Sequence, residues 1–477
     1  MISGIEQMMN LFGVTSDNLK RLIFIALSSG GDYADIYFEY STSNELALRD
    51  GEVNAAGSNI DYGMGIRVLS GDRTGYAYTE ITSMKEMERA AKIAAKIADG
   101  SIKESRIGLD SAFTPLSHPN FYPVKQRWDD LSVKERIPFL EELNERIFSA
   151  DERVIKVLGR IADSNSKILF YNSDGVIACD ERPSFALVAT AIMASGDKVE
   201  NGTSSRSYRA GFEILTKELV KEVADEVISR TAILFDAIQP KGGEMPVVMG
   251  AGGSGILLHE AIGHAFEADF NRMNTSIFAD KMGKKICSET ISVIDDGTIP
   301  FNRGSINIDD EGVLSQKTYM VKDGILNSYL HDRISAKYYN TASTGNGRRE
   351  SFRHMPIPRM RATYMEAGHV KESDMIASIN RGIYVDCFSN GQVQIGAGDF
   401  TFFVKSGYLI ENGELTHPIK DTNIIGNGPE ALADIVAVSD NLRIDNGTWT
   451  CGKEQYCPVS CGMPSVIVNK LTVGGVI

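Results

Sequence analysis

The chain has 477 residues, of which 43% are hydrophobic and 23% charged, and its formal net charge is −14. This composition is ordinary for a globular protein of two or three domains and indicates no disordered tract. The negative charge and the lack of a lysine and arginine cluster argue against a nucleic-acid surface, because such a surface neutralises phosphates. We therefore expect no nucleic-acid partner, and an acidic protein is better suited to small or peptide substrates.

The N-terminus does not resemble a secretory signal, because Glu6 stands where a basic start is expected and the apolar run at 22–27 is too short. No stretch is long enough to span a bilayer. The six cysteines do not form the framework of a small disulfide-rich protein. We therefore predict a protein of the reducing cytoplasm with no membrane contact.

The N-terminal half mixes helix and strand patterns. Capping boxes begin two of its helices, and turn dipeptides such as Asp50-Gly51 separate its alternating strand-like runs. The polar, proline-containing stretch at 100–126 is predicted to be a connector. The predicted elements in chain order are a helical opening segment, strands over 32–78, a helix over 83–98, a helix over 132–150, strands over 154–195 and a helix over 217–235.

The composition changes near Pro246 to glycine-rich, strand-like segments, with helices expected only near 254–268, 372–380 and 429–438. A boundary is predicted at 238–244. The resulting fold class is α+β. The N-terminal region, over 1–237, is predicted to be mixed α/β and sandwich-like, with possible subdomains at about 1–100 and 125–237. The C-terminal domain, over 245–477, is predicted to be mainly antiparallel β and to carry the helix with the histidine motif described next.

The most informative motif is the run H-E-A-I-G-H at 259–264. It is one residue longer than the H-E-x-x-H signature, in which two histidines share a helix face and bind a hydrolytic metal while the glutamate acts as general base. A five-residue step in a regular helix would rotate His264 about 140° away from His259. A π-turn or a kink at Gly263 would bring the rings together, so a distorted helix is expected. The alternative without a metal is that the two histidines lie near a helix end and form hydrogen bonds with the backbone or with solvent.

Two histidines do not complete a zinc site, which usually has three protein ligands and one open position. Glu267 could share a face with His264, and Cys451 lies in a glycine-flanked turn from which a thiolate could reach the metal. Spacing alone does not choose between them. Cys457 and Cys461 form a C-x₃-C step, but without a second such pair they are better interpreted as buried free thiols.

Two glycine-rich runs could each be either a ligand-binding loop or a structural turn. The run at 250–255 matches G-x-G-x-x-G but lacks a following parallel strand with a ribose-binding acid, so we prefer Ser254 as the N-cap of the helix that bears the histidines. The run at 345–350 contains Arg348 and Arg349 but is not a phosphate-binding P-loop. It either binds a substrate carboxylate or turns a corner.

These residues together resemble the TldD/PmbA family of metallopeptidases, and in particular its TldD-type branch. The PmbA-type branch is similar in fold but lacks the histidine run, so the run favours an active subunit. The similarity covers most of the chain, with matches at 49–51 (R-D-G), 65–69 (G-I-R-V-L), 73–78 (R-T-G-Y-A-Y), 259–264, 344–351 (T-G-N-G-R-R-E-S), 451–454 (C-G-K-E) and 471–475 (L-T-V-G-G).

The resemblance implies one zinc ion per active subunit, held by His259, His264 and Cys451. Glu267 then lies beside the ligands rather than among them. Family members work as paired subunits, so the resemblance also implies a homodimer or a heterodimer with a PmbA-type subunit.

The chain departs from the family pattern at Ala265 and Ala268, where glycine is usual, and in an altered, shorter segment at 455–461. These departures concern the substrate preference more than the metal.

We interpret the chain as a zinc-dependent peptidase of unfolded or extended peptides, in which Glu260 is the general base that activates water. One alternative is a regulatory, partner-binding protein with a structural zinc, as the family's older label of gyrase modulator suggests. A nucleotide-binding enzyme built on 250–255 is a weaker alternative. No sequence argument identifies the oxyanion donor among the tyrosines, His331 and the arginines, nor the natural substrate.

Overall fold

The computed structural model describes residues 2–98, 113–394 and 396–474. The N-terminal half is built on one large sheet with helices against it. Its elements are α1 (Ile2–Phe12), α2 (Ser16–Ala26), β1 (Tyr33–Arg49), β2 (Glu52–Ser70), β3 (Arg73–Thr79), α3 (Met84–Ala98), β4 (Thr114–Pro115), α4 (Val133–Ala150), β5 (Val154–Asn172), β6 (Val176–Ser195), β7 (Lys198–Tyr208) and α5 (Lys217–Ala232).

The sheet has seven strands in the order β3-β2-β1-β5-β6-β4, and β7 also pairs with β6. Two antiparallel hairpins, β1–β2 and β5–β6, form its centre with strands of 17 to 20 residues. The turn predicted at Asp50-Gly51 connects the first hairpin, and both residues have positive φ as such a turn requires.

All five helices cover one face of this sheet. Ala34 and Phe38 of β1 belong to the hydrophobic cluster of α1, α2 and α3, whereas Leu46 and Leu48 belong to that of α4 and α5. Side chains alternate between faces along a strand, and these four residues all have even numbers. Both helical clusters therefore lie on the same face of one continuous sheet.

The opposite face of the sheet packs against the C-terminal half. Tyr37 of β1 and Phe170 of β5 share a small apolar cluster with Ile308 and Phe352. Buried ion pairs surround this cluster, including Arg67–Glu311 at 2.7 Å. The molecule is thus three-layered, with helices, sheet and C-terminal half in that order.

The C-terminal half is dominated by short strands. Its elements are β8 (Gly243–Met249), α6 (Ile256–Leu258), α7 (Ala268–Arg272), β9 (Val293–Asp296), β10 (Lys317–Lys322), β11 (Ile325–Leu326), α8 (Arg333–Tyr338), β12 (Gly347–Arg348), β13 (Ile357–Pro358), β14 (Ala362–Met365), α9 (Glu372–Ala377), β15 (Arg381–Val393), β16 (Asp399–Glu411), β17 (Glu414–Ile419), β18 (Thr422–Asn427), α10 (Gly428–Ala433), β19 (Ile435–Val438), β20 (Arg443–Asp445), β21 (Thr450–Lys453), β22 (Gln455–Pro458), β23 (Ser460–Met463) and β24 (Val466–Val473).

Two sheets of this half enclose its core. A six-stranded sheet has the order β11-β10-β9-β14-β23-β20, and the pairings of a second sheet close into a ring, β15-β8-β24-β18-β16 and back to β15. The core includes Val247 of β8 and Phe402 of β16, together with Ile262 from the histidine-bearing helix. That helix is therefore embedded in the core between rigid strands.

The predicted α+β class is confirmed, with a helix-covered N-terminal sheet and a mainly antiparallel C-terminal half. The parallel exceptions in that half are β8 with β15 and β14 with β23. The predicted helix at 429–438 is wrong in its second part, because α10 ends at Ala433 and 435–438 form β19 on the edge of β24. Residues 100–112 of the connector predicted at 100–126 lie outside the described residues.

None of the helices in the described parts of the chain is both long and apolar enough to cross a membrane.

Candidate metal centre

The helix that bears the two histidines is distorted, as the five-residue spacing predicts. It begins with a 3₁₀ turn at Gly253–Gly255, continues through α6, becomes a π-helix over His259–Gly263 and ends in a 3₁₀ turn at His264–Phe266. The expectation that Ser254 caps this helix is wrong. Ser254 lies inside the first 3₁₀ turn, and its buried hydroxyl has no hydrogen-bond partner among the described residues.

The π-turn brings the two imidazoles to one side. Their ring centroids are 5.1 Å apart, and the rings are nearly perpendicular, at 81°. The sulfur of Cys451 lies 3.2 Å from Nε2 of His264, and one ligand atom from each of the three side chains lies within 4.8 Å of the others. Tetrahedral zinc with ordinary bond lengths separates its nitrogen and sulfur ligands by about 3.3–3.6 Å. The distance of 3.2 Å between the Cys451 sulfur and Nε2 of His264 is close to this range.

The hydrogen bonding of the histidines also fits a metal. His259 is 1% exposed, and neither of its ring nitrogens has a hydrogen-bond partner in the described structure. Buried polar atoms are rarely left unpaired, because desolvation is then uncompensated. Two imidazoles and a thiol are the donor set that suits zinc, so a metal would satisfy one of these two orphaned nitrogens.

Glu267 and Cys451 lie on opposite sides of His264. The carboxylate of Glu267 is 2.8 Å from Nδ1 of His264, whereas Cys451 faces Nε2. The geometry therefore favours Cys451 over Glu267 as the third candidate ligand, since Cys451 shares the pocket of both imidazoles and Glu267 lies behind one of them. Although burial opposes ionisation, the two histidines lower the pKa of the Cys451 thiol to about 4. A thiolate is the form that binds metal.

Cys451 is carried on the β21–β22 hairpin, whose turn residue Glu454 has a positive φ of 56°. The fully buried Arg359 holds this hairpin. Its guanidinium donates to the carbonyls of Cys451 (2.8 Å), Gln455 (2.9 Å) and Lys453 (3.3 Å). Sequence reasoning missed Arg359, and no spacing or motif distinguishes it from the neighbouring arginines.

Glu260 differs from the three buried side chains because its own side chain is 24% exposed. Its carboxylate lies 4.0 Å from Nε2 of His259. The structure therefore places Glu260 next to the candidate ligands but at the surface of their pocket, where an incoming molecule can contact it.

The other predicted candidates lie outside the cluster of His259, His264 and Cys451 found among the described residues. Cys457 pairs directly with Cys451 across the hairpin and contacts Arg359, while Cys461 is buried in β23. Both are buried and form no disulfide, as the preferred interpretation of the C-x₃-C step expects. His331 is buried beside Tyr339, and burial lowers its pKa to about 4.

The surroundings of the two glycine-rich runs bear on the alternatives considered for them. The run at 250–255 follows β8, but β9, the next described strand, belongs to a different sheet, so the parallel βαβ unit of a dinucleotide site does not form here. Arg348 donates to the carbonyls of Met360 and Pro458, and Arg349 is buried against Asp310. The guanidinium groups of both arginines are therefore engaged within the fold, which favours a structural corner over a carboxylate site.

The comparisons with known proteins agree with the histidine run. Three family models match in order, described as PmbA/TldA metallopeptidase domain 1 (residues 34–98), central domain (126–235) and C-terminal domain (242–475). A metalloprotease TldD homologue of Haemophilus influenzae is 37% identical over 468 residues, which cover 97% of each chain. A zinc metalloprotease TldD homologue of Saccharolobus solfataricus is 26% identical and covers 94% of this chain and 97% of its own.

Solved structures share the fold at low identity. A Thermotoga maritima protein described as a candidate modulator of DNA gyrase has a TM-score of 0.78 at 21% identity and covers 96% of this chain and 100% of its own. TldE of Thermococcus kodakarensis has a TM-score of 0.73 at 22% identity, with the same coverage. The chain belongs to the PmbA/TldD family of metallopeptidases, on its TldD side, and the enzyme class predicted from the sequence, a peptide-bond hydrolase, is confirmed.

Proposed function

We propose that the protein is a zinc peptidase whose metal is held by His259, His264 and Cys451, one ion per subunit, with Glu260 as general base. The observation that carries this proposal is the convergence of three buried ligand atoms within 4.8 Å beside one partly exposed carboxylate. The ligand cluster has three members in the described parts of the chain, which leaves a fourth position open. A structural zinc is normally closed by a fourth protein ligand, so this count argues against the regulatory alternative.

The different burial of Glu260 and of the three candidate ligands indicates their different roles. A bound zinc ion would supply Lewis acidity, polarising the scissile carbonyl and lowering the pKa of the attacking water. Glu260, at the surface of the pocket, accepts the proton of that water and returns it to the leaving amine. His259, His264 and Cys451 are almost wholly buried, so they are held in fixed positions and exclude bulk water from the metal side.

The substrate class proposed is an extended or unfolded peptide. Before Met64, β2 pairs with β1 alone among the described strands, so one edge of this segment is free. A free strand edge can hold an extended chain through main-chain hydrogen bonds without selecting its side chains. Most of the main chain of a folded protein is already hydrogen-bonded within its own structure.

We also propose that the protein acts in the cytoplasm as a dimer, with a second copy or with a PmbA-type subunit. All six cysteines are free and four of them are buried, which suits a reducing compartment. The similarity in fold to TldE supports a partner of this type.

The test is Glu260→Gln, with zinc content measured by mass spectrometry and cleavage of an unstructured peptide followed in parallel. We expect about one zinc per chain in both proteins and a fall in kcat of about 10²–10⁴-fold in the variant, the usual contribution of general acid–base catalysis. Cys451→Ala should lose the zinc. Glu244→Gln, an exposed carboxylate ion-paired with Lys470, is the matched control and should retain full activity. Cleavage that survives Glu260→Gln, or a wild-type protein that binds no metal, would overturn the proposal.

A further inference from the structure

A second feature of the metal centre is a buried ion pair that connects two separate ligand-bearing elements. Lys453 lies two residues after Cys451 on β21, so the two side chains point to the same face of the strand. Its ammonium is 3.1 Å from Oε2 of Glu267, and that same oxygen is 2.8 Å from Nδ1 of His264. One carboxylate oxygen therefore contacts both the hairpin of one candidate ligand and the ring of another.

We propose that Lys453 and Glu267 are positioning residues that act as one unit, holding the Cys451 hairpin in register with His264. This inference rests on the metal site of the proposed function. The two ligands are 187 residues apart in sequence and belong to different elements. Their relative position therefore depends on side chains that bridge the elements.

Glu267 acts on the imidazole. By accepting a hydrogen bond from Nδ1, it fixes the tautomer in which Nε2, the nitrogen that faces Cys451, carries the free lone pair. Partners of this kind orient a ligand ring and raise its basicity, and their removal typically lowers metal affinity by about 10–100-fold. Glu267 is fully buried, so water does not compete for this contact.

Lys453 acts on the carboxylate and on the hairpin. A buried carboxylate needs a cationic partner, and Lys453 supplies it while also contacting Asp269 at 2.8 Å. Oε1 of Glu267 and Nε of Arg359 lie 4.0 Å apart, and neither has a hydrogen bond in the described structure. Arg359 already binds the hairpin backbone, so Glu267 lies between two cations that are both anchored to the Cys451 hairpin.

The competing explanation is a buried ion pair that stabilises the fold without affecting the ligands. A double-variant cycle separates the two. Apo protein is prepared for the wild type, Glu267→Gln, Lys453→Met and the double variant, and zinc affinity is measured by competition with a chelator. Thermal unfolding of each apo protein and the visible absorption of each cobalt-substituted protein are recorded alongside.

For a positioning unit, each single variant loses zinc affinity by about 10–100-fold, and the double variant loses no more than about threefold beyond the worse single. The cobalt spectrum, which reports ligand geometry, changes in all three. The apo unfolding temperature falls in each single variant because a buried charge loses one of its partners, and it recovers in part in the double variant. Zinc affinity does not recover with it.

The matched control is Glu244→Gln with Lys470→Met, an exposed pair of the same chemistry at 2.8 Å. These variants should leave zinc affinity within about twofold of the wild type, as for other surface pairs. If Glu267→Gln or Lys453→Met fails to fold, Glu267→Asp and Lys453→Arg replace them. These variants keep both charges but change the length of the side chain, and they should still weaken zinc binding.

Single variants with altered stability but zinc affinity within twofold of the wild type would reduce the pair to a structural role and overturn the inference. So would losses that multiply in the double variant, because the residues would then act independently. Failure of the proposed function is a separate result, since it appears as a wild-type protein without zinc or a Glu260→Gln protein that still cleaves peptide.

Discussion

Gly255 lies where the histidine-bearing helix begins, and its backbone packs directly on Gly462 of β23. A Cβ at position 255 would lie 2.5 Å from the nitrogen of Gly462 and 2.8 Å from its Cα. Backbone atoms of a central strand cannot move aside as a flexible side chain can. We therefore expect Gly255→Ala to lower the free energy of unfolding by about 1–3 kcal/mol, the usual cost of overpacking a core.

Gly253 in the same 3₁₀ turn is the matched control for this prediction. The nearest atom to a Cβ there is a carboxylate oxygen of Asp445 at 3.3 Å, which a small side-chain movement relieves. Urea unfolding monitored by circular dichroism should show Gly253→Ala within about 0.5 kcal/mol of the wild type, as for most mild substitutions. Equal stability of the two variants would contradict the close approach at Gly255.

Elements with strong local patterns could be predicted from the sequence. The capping box of Ser132 and Glu135 begins α4 as expected, with the Glu135 carboxylate accepting a hydrogen bond from the backbone of Ser132. The five-residue step from His259 to His264 predicts the π-turn, because a regular helix would separate the rings. In both cases the deciding interaction is within a few residues of the chain.

Other elements depend on distant contacts and could not be predicted. The six-residue helix α8 is too short for a hydrophobic period to show. The apolar run of β19 has no local feature that distinguishes a helix from a strand, and its pairing with β24 decides the matter. The same applies to the site. The two histidines form a motif, Cys451 and Lys453 are noticeable only through the family match at 451–454, and Arg359 carries no sequence signal.

The β21–β22 hairpin depends on one buried guanidinium. Arg359 donates to three of its carbonyls in a fixed fork, which the single ammonium of lysine cannot reproduce. We expect Arg359→Lys to increase hydrogen exchange in 450–458 and to lower zinc affinity by about tenfold, since residues that orient ligands commonly contribute this much. Mass spectrometry of exchanged peptides and chelator competition measure the two effects.

Arg361 provides the control, because it is also fully buried but donates to the carbonyl of Gly345 rather than to the hairpin. Arg361→Lys should lower stability while leaving exchange in 450–458 unchanged at temperatures well below unfolding. If both variants loosen the hairpin equally, the effect belongs to the core as a whole and not to the fork of Arg359.

At the scale of the whole molecule, the layer between the N-terminal sheet and the C-terminal half is unusually polar. Arg67 forms an ion pair with Asp35 within the sheet and another with Glu311 across the layer. Arg182 likewise forms an ion pair across the layer, with Asp310. Buried pairs of this kind contribute little net stability compared with apolar contacts, but they penalise any misaligned docking. The two halves therefore dock in one register, and the stability of that docking depends on which carboxyl groups are ionised.

Glu39 is the group in this layer for which the pH dependence has a clear sign. Burial raises its pKa from an ordinary value of 4.5 to about 7, even though its carboxylate accepts a hydrogen bond from the backbone of Phe352. Between these two pH values the folded protein holds a proton that the unfolded chain has released. The contribution of Glu39 to the free energy of unfolding therefore falls as pH rises from about 4.5 to 7 and is constant above that range.

Glu39→Gln removes this titration and retains an acceptor for the backbone of Phe352. One unit of pKa corresponds to about 1.4 kcal/mol, so the variant should gain up to about 3 kcal/mol over the wild type at pH 8. The gain should disappear near pH 4.5, where the wild-type carboxyl is already neutral. Denaturant unfolding at several pH values measures it, with Glu45→Gln on the same strand as an exposed control that should show no such trend. A difference independent of pH would show that the pKa of Glu39 is not shifted by folding, and one that grows towards acid would show that the polar layer stabilises its charge.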